Sequence, residues 1–120
     1  MTDTTTLVDR YLDIWNERDA GRRAAMIGQT WTEDATYLDP LMRGERADGI
    51  DAMIAAVQTQ FPGHEFRQIG KTDGHNDVVR FSWELVNTAD GARLIAGTDV
   101  ANVADDGRLR SVTGFLDGEL

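Results

Sequence analysis

The sequence contains no cysteine, and only two of its 120 residues are proline. Without thiols the chain cannot form disulfides, Cys-ligated zinc sites, iron–sulfur clusters or thiol nucleophiles. Positive charge is also scarce, because 12 Lys and Arg residues stand against 21 Asp and Glu, for a net charge of −9. Nucleic acids and anionic membranes bind clustered Lys and Arg, so we expect neither of them as a partner.

Long apolar runs are missing as well. No stretch approaches the ~20 apolar residues of a membrane-spanning helix, and residues 1–6 lack the basic and apolar regions of a signal peptide. We therefore expect a cytoplasmic protein whose residues 1–120 form a single domain. There is no Gly-rich phosphate loop, Ser-centred nucleophile motif or zinc-binding helix motif. We expect no metal and no other cofactor.

The first part of the chain has helical patterning followed by a short strand. Thr5 or Thr6 can cap a first helix, and Asp19 can cap a second one. Residues 35–38 then read as a strand, because alternation and bulky side chains replace the helical period.

The third helix and the strands after it give the clearest patterns. Asp48 is a candidate N-cap, and apolar residues recur at i, i+3, i+4, i+7 and i+11 from Ile50 to Phe61. From Val79 to Leu85 the period changes to two, as in a half-buried antiparallel strand. Asp-Gly pairs at 73–74, 90–91 and 106–107 provide residues for three hairpin turns. Four strands are thus predicted near 64–73, 77–87, 92–104 and 108–117.

This order of elements predicts an α+β fold with segregated layers. We expect a cone-shaped roll in which three N-terminal helices pack on a curved, mainly antiparallel sheet. The open end of such a cone is an internal pocket, which is a common place for a small-molecule site.

The predicted strand at 35–38 ends in Asp39-Pro40. Proline cannot donate to a sheet ladder and holds the preceding residue in an extended conformation, so Asp39 lies where the strand stops. If the third helix covers this strand end, the Asp39 carboxylate points into a pocket and is a candidate general base. The alternative is a local turn in which Asp39 binds its neighbouring backbone. The residue types leave both interpretations open.

Four segments, residues 11–19, 34–40, 49–54 and 99–107, resemble the nuclear-transport-factor-2-like superfamily, and within it the SnoaL-like and ketosteroid-isomerase-like proteins. The resemblance covers essentially the whole chain. It implies the roll fold, a homodimer, and a small hydrophobic ligand of steroid-like or polyketide-like type. This superfold hosts isomerases, cyclases, dehydratases, hydrolases and non-catalytic binders, so the fold does not fix the reaction.

The resemblance also implies roles for three residues. Asp39 follows Asp-Ala-Thr and precedes proline, as the general base of the ketosteroid isomerases does. Tyr11, eight residues before Asp19, matches the tyrosine that binds the oxyanion in those enzymes. Asp99, eight residues before Gly107, matches the second oxyanion donor. A buried carboxyl without a cationic partner stays protonated and can donate, as ketosteroid isomerase itself illustrates.

Two of these residues also have a purely structural interpretation. Tyr11 lies on the core stripe of the first helix, where a tyrosine commonly only packs. Asp99 would face solvent if it paired with Arg80 or Arg110 on a neighbouring strand. On the last strand, where the isomerases tend to carry a polar aromatic residue, this chain has Phe115-Leu116. The candidate ligand-binding residues are Trp15, Trp31, Tyr37, Met53, Phe61, Trp83 and Phe115.

We therefore expect a small cofactor-free enzyme of isomerase type that binds a hydrophobic carbonyl compound and transfers a proton. One alternative is a SnoaL-like polyketide cyclase or dehydratase that uses the same acids. Another is a non-catalytic small-molecule-binding or dimerisation module. The enzyme interpretation requires Asp39, Tyr11 and Asp99 to converge on one cavity.

Overall fold

A computed structural model gives the fold and describes residues 3–117. The helices are α1 (Thr4–Asn16), α2 (Ala20–Thr30) and α3 (Arg46–Gln60). The strands are β1 (Trp31–Leu38), β2 (Arg43–Glu45), β3 (His64–His75), β4 (Val78–Asn87), β5 (Arg93–Val103) and β6 (Leu109–Asp117). Among residues 3–117, no helix is long and apolar enough to cross a bilayer.

The six strands form one sheet in the order β2-β1-β6-β5-β4-β3. The pair β1 and β6 is parallel, and the other neighbours are antiparallel. Helix α3 packs against β1 and α1 against β3, so the helices cover one face of the sheet. The predicted α+β roll is therefore confirmed.

The core lies between this helical layer and the inner face of the sheet. On β4 the alternation predicts the interior correctly, because Val79, Phe81, Trp83 and Leu85 are all buried. On α1 the buried residues recur every three or four positions, which turns one helical stripe toward the sheet. This packing fixes the α1 stripe opposite the inner faces of β4 and β5.

The sequence predicts the N-cap residue correctly for one of the three helices. Asp19 caps α2, since its carboxylate accepts a hydrogen bond from Arg22 N at 2.8 Å. Helix α1 is capped by Asp3 rather than by Thr5 or Thr6, because the Asp3 side chain reaches Thr6 N.

Helix α3 also begins earlier than predicted. Its N-cap is Glu45, and Asp48 lies in the first turn. The cause is β2, a strand that the sequence did not reveal, which runs to Glu45 and passes directly into the helix. Arg46 makes this sharp change of direction in the left-handed region, with φ 64°.

The four predicted strands of the second half are present, each within two residues of its expected bounds. Two of the three Asp-Gly turns form as expected, with Gly91 at φ 73° and Gly107 at φ 88°. The pair at 73–74 instead lies inside β3, and the turn is made at Asn76, which has φ 52°. Asparagine tolerates this conformation better than most residues, so the hairpin closes there. Strand β1 is also longer than predicted and starts at Trp31.

Candidate active site

A cavity with an open mouth lies between the helices and the inner face of the sheet. Its walls come from α1, α3 and strands β1 and β3–β6, and they are mostly aromatic or aliphatic. Two carboxyl groups and two phenols, those of Asp39, Asp99, Tyr11 and Tyr37, also line it. Among residues 3–117, no Lys, Arg or His lines the cavity. The cavity therefore offers an apolar surface with a few converging acidic and hydroxyl groups.

Asp99 points into this cavity from the middle of β5. It is only 1% exposed, and its Oδ2 accepts a hydrogen bond from the Tyr11 hydroxyl at 2.7 Å. Its Oδ1 accepts one from Trp83 Nε1 at 3.0 Å. Arg80 pairs instead with Asp73, at 2.8 Å. The solvent-facing interpretation of Asp99 is therefore wrong.

The surroundings of Asp99 change its acidity. Burial raises the pKa of this carboxyl from 3.8 to about 6, and the nearby charge of Asp39 contributes to the rise. The hydrogen bonds from Trp83 and Tyr11 oppose it, because they favour the ionised form. Asp99 is thus protonated only below about pH 6, whereas the sequence predicts a carboxyl that stays protonated.

Tyr11 reaches Asp99 from the buried stripe of α1. Its ring packs edge-on against Phe81, with centroids 5.2 Å apart, and lies 5.8 Å from Trp31. Burial and the Asp99 charge hold the pKa of Tyr11 well above its usual value. The phenol therefore keeps its proton and acts as a hydrogen-bond donor inside the cavity.

Asp39 combines the two interpretations that the sequence left open. Its Oδ1 accepts hydrogen bonds from Leu41 N at 2.8 Å and Met42 N at 2.9 Å, which makes the local turn after β1. Its Oδ2 accepts one from the Tyr37 hydroxyl at 2.7 Å. The same carboxylate lines the cavity. The turn thus orients the side chain and does not remove it from the site.

Gly114 on β6 marks where these groups meet. It pairs with Asp99 across the sheet. A Cβ atom added at Gly114 would lie 2.9 Å from Asp99 Oδ1 and 3.2 Å from both Asp39 Cβ and the Tyr37 hydroxyl oxygen. The two carboxyl-bearing residues therefore approach one another across a gap that only glycine leaves open. The sequence reasoning missed this residue, although it shares the inward side of β6 with Val112.

The candidate ligand-binding residues divide into two groups. Trp15, Tyr37, Phe61 and Trp83 line the cavity. Further lining residues are Leu12, Leu41, Met42, Val57, Gln60, Phe66, Leu85, Ile95 and Leu116. They come from separate elements, and their meeting depends on tertiary packing.

Three candidates, Trp31, Met53 and Phe115, are not among the lining residues. Trp31 and Met53 are buried in the core. Phe115 is 55% exposed, because strand alternation turns it to the outer face while Gly114 and Leu116 face inward.

Proton transfer is the chemistry that this arrangement can perform. Two carboxyls and two phenols are hydrogen-bonded within one largely apolar cavity, and positioned acids of this kind exchange protons with bound molecules. Among residues 3–117, no three His, Asp or Glu side chains are grouped so that they could hold a metal ion.

Comparisons with known proteins agree with the fold and its resemblance. A model of the SnoaL-like domain matches residues 8–112. A protein from Agrobacterium tumefaciens strain C58, provisionally named as an isomerase of the SnoaL-like family, is 47% identical, with a TM-score of 0.93 over 98% of this chain and 100% of its own. No curated protein matches the sequence.

Two more distant solved structures share the fold. One, from Sinorhizobium meliloti, is provisionally named as a polyketide cyclase and is 14% identical, with a TM-score of 0.71 over 94% of this chain and 99% of its own. The other, a protein from Nostoc punctiforme with a cystatin-like fold, is 15% identical, with a TM-score of 0.70 over 97% and 90% of the two chains.

Proposed function

This chain belongs to the SnoaL-like domain family, and we propose that it is a cofactor-free enzyme that transfers a proton on a hydrophobic carbonyl compound. The observation that carries the proposal is the convergence of Asp39, Tyr11 and Asp99 on one cavity. The 47% identical relative, provisionally named as an isomerase, favours the same reaction class.

The proposed reaction is a ketosteroid-isomerase-like double-bond shift. Asp39 takes a proton from the carbon next to the carbonyl group, and the electron pair of that C–H bond moves toward the carbonyl oxygen. The Tyr11 hydroxyl turns its proton from Asp99 Oδ2 to the carbonyl oxygen, and Tyr11 and protonated Asp99 then both donate hydrogen bonds to that oxygen as it becomes negative. Asp39 then returns the proton to a different carbon, so the enzyme regains its starting state and the product is an isomer.

The protonation of Asp99 supports this scheme under a specific condition. Its pKa of about 6 leaves the carboxyl ionised at neutral pH. An apolar ligand that displaces water from the cavity raises this pKa further, because desolvation disfavours the charged form. Substrate binding thus favours the neutral donor that the scheme requires.

The charge of the cavity supports a neutral substrate. Two carboxyls line it, and in the described part of the chain no Lys, Arg or His does so. A ligand that carried its own carboxylate would have to bury that charge without a counter-ion, which costs a large part of its binding energy. A ketone or enone avoids this cost and presents a single oxygen to the phenol and the acid.

The test is hydrogen exchange in D₂O, followed by NMR, with a panel of cyclic enones and monocyclic ketones. We expect the wild-type protein to exchange the acidic C–H of at least one compound. Asp39→Asn should lower the rate by ~10²–10⁴-fold, because it removes a positioned base. The control is Asp34→Asn, which makes the same change at an exposed site on β1, the strand that ends just before Asp39. Equal rates in Asp39→Asn and wild type would remove Asp39 from the mechanism.

The same carboxyls would also serve a polyketide cyclase or dehydratase, in which the enolate forms a new carbon–carbon bond or expels water. Product analysis separates these outcomes from isomerisation, because a cyclase changes the carbon skeleton and a dehydratase lowers the mass by one water. Binding of the panel without any exchange would instead indicate a non-catalytic binding module.

We also propose that the protein is a homodimer that covers the outer face of its sheet. Phe115 and Leu94 are 55% and 53% exposed there, on β6 and β5. Large apolar side chains at a protein surface often mark an interface. Light scattering at micromolar concentration should give the mass of two chains. A monomer under these conditions would contradict the proposal.

A further inference from the structure

Tyr37 has no part in the transfer proposed above, yet it contacts the base directly. Its hydroxyl donates to Asp39 Oδ2 at 2.7 Å, and its ring lies 5.5 Å from that of Trp15. Burial and the charges of Asp99 and Asp39 raise its pKa far above the ordinary value. The phenol therefore keeps its proton and remains a donor.

Counting hydrogen bonds shows what this donor does to Asp39. An ionised carboxylate offers about four lone-pair sites, two on each oxygen. The backbone N–H groups of Leu41 and Met42 occupy Oδ1. Tyr37 occupies one site on Oδ2, so the remaining site, the one able to take a proton from a ligand, is also on Oδ2.

Tyr37 also lies near Tyr11 and Asp99 in the cavity. The ring of Trp15 lies 5.5 Å from that of Tyr37 and 6.3 Å from that of Tyr11, so the two tyrosines pack against the same indole. The charge of Asp99 also contributes to the raised pKa of Tyr37. The space above Gly114 shows that Tyr37 is also close to Asp99. A Cβ atom added there would lie 3.2 Å from the Tyr37 hydroxyl oxygen and 2.9 Å from Asp99 Oδ1.

We propose that Tyr37 is a positioning residue that holds Asp39 Oδ2 as the proton-accepting atom and links it to Tyr11 and Asp99. The positioning of Asp39 Oδ2 for catalysis rests on the proposed proton transfer. The link between Tyr37 and Tyr11 does not depend on it. No covalent bond of Tyr37 forms or breaks during the reaction. Its hydroxyl keeps its own proton and determines which oxygen of the Asp39 carboxylate faces the ligand.

The link can be measured without a substrate, because the chain has only two tyrosines. With tyrosine labelled by ¹³C at Cζ, Tyr37→Phe leaves a single signal, that of Tyr11. We expect this signal to move from its wild-type position. Ser82→Ala is the matched control, since it removes a hydroxyl hydrogen bond to Thr98 at 2.9 Å in a group outside the cavity lining. A Tyr11 signal that is the same in Tyr37→Phe and wild type overturns the link.

The positioning role is tested by kinetics on any carbonyl compound that the wild type turns over. Tyr37→Phe should lower kcat about 10-fold, less than the ~10²–10⁴-fold expected for removing a base, while KM stays within about twofold. An unchanged kcat overturns the positioning role even if the Tyr11 signal moves. If the wild type turns over no compound, the proposed function fails together with this catalytic role, and the labelled tyrosine still decides whether the link exists.

Discussion

Two phenol–carboxylate pairs lie in the same cavity, and their contrast explains how the site is built. Tyr11 with Asp99 and Tyr37 with Asp39 both have a hydroxyl-to-carboxylate distance of 2.7 Å. The first pair is fully buried, since Asp99 is 1% exposed in the middle of a strand. In the second pair, Asp39 is partly exposed after the end of β1.

The difference between the pairs lies in what else holds each carboxylate. Asp99 has a second side-chain donor, Trp83, and its burial raises its pKa to about 6. Asp39 has two backbone N–H donors, which are present whatever its neighbouring side chains are. A strand interior therefore gives a carboxyl that changes protonation near neutral pH, and a strand end gives one whose orientation the backbone fixes.

Of the two phenols, the larger effect should come from breaking the Tyr11–Asp99 pair with Tyr11→Phe. This change removes one oxyanion donor, which typically costs ~10²–10³-fold in kcat. It also raises the pKa of Asp99, because in the wild type the hydrogen bond from Tyr11 lowers that pKa. Kinetics and an NMR titration of the same variant check both effects. Tyr37→Phe, the matching change in the Tyr37–Asp39 pair, should reduce kcat by less than Tyr11→Phe does. A larger loss of kcat in Tyr37→Phe than in Tyr11→Phe would contradict the proposed roles.

A second way to test the contrast is the dependence of stability on pH. Folding raises the pKa of Asp99 from 3.8 to about 6, so its favourable contribution is complete below about pH 4 and is lost as the pH rises through about 6. Asp99→Asn removes this dependence. The stability lost between pH 4 and pH 7 should therefore be smaller in the variant by about 2 kcal/mol.

Urea denaturation at the two pH values measures this difference. Asp34→Asn serves as the control, because Asp34 is exposed and its substitution should leave the wild-type pH dependence in place. An Asp99→Asn variant with the same pH dependence as the wild type would show that folding does not raise the pKa of Asp99.

A smaller effect should come from filling the gap between the pairs with Gly114→Ala. The new methyl group would approach Asp99 Oδ1 within 2.9 Å, so the carboxyls must move apart. Overpacking of this kind costs about 1–3 kcal/mol of unfolding free energy. Gly28→Ala is the control, because nothing beyond its chain neighbours and the nearby backbone of its own helix lies within 4 Å of its added Cβ, and alanine favours a helix by about 0.5–1 kcal/mol. Equal or greater stability of Gly114→Ala would contradict the close approach.

The sequence predicts the parts of this site that depend on local patterns. The β4 alternation identifies Trp83 as interior, and Asp39-Pro40 identifies the strand end. Residues two apart on a strand share a face. The sequence is therefore also sufficient to predict that the Tyr37 and Asp39 side chains lie next to each other. The same rule separates Phe115 from Leu116 on β6, once Val112 is assigned to the core.

The direction of Asp99 could not be read in this way. Its side of β5 carries Gly97 and Ala101, and the opposite side carries Ala96, Thr98 and Val100. Both sides are small or moderately apolar, so alternation does not distinguish the interior from the surface. The answer depends on α1, which brings the Tyr11 hydroxyl to Asp99 from 88 residues away along the chain. The parallel pairing of β1 with β6 is a long-range choice of the same kind.

One titration tests most directly whether the two carboxyls share a site. With aspartate labelled by ¹³C at the carboxyl carbon, Asp99 should titrate near pH 6 in the wild type. Asp39→Asn should lower this midpoint, because the Asp39 charge contributes to the raised pKa of Asp99. An Asp99 midpoint near its ordinary value of 3.8, unchanged by Asp39→Asn, would contradict the account.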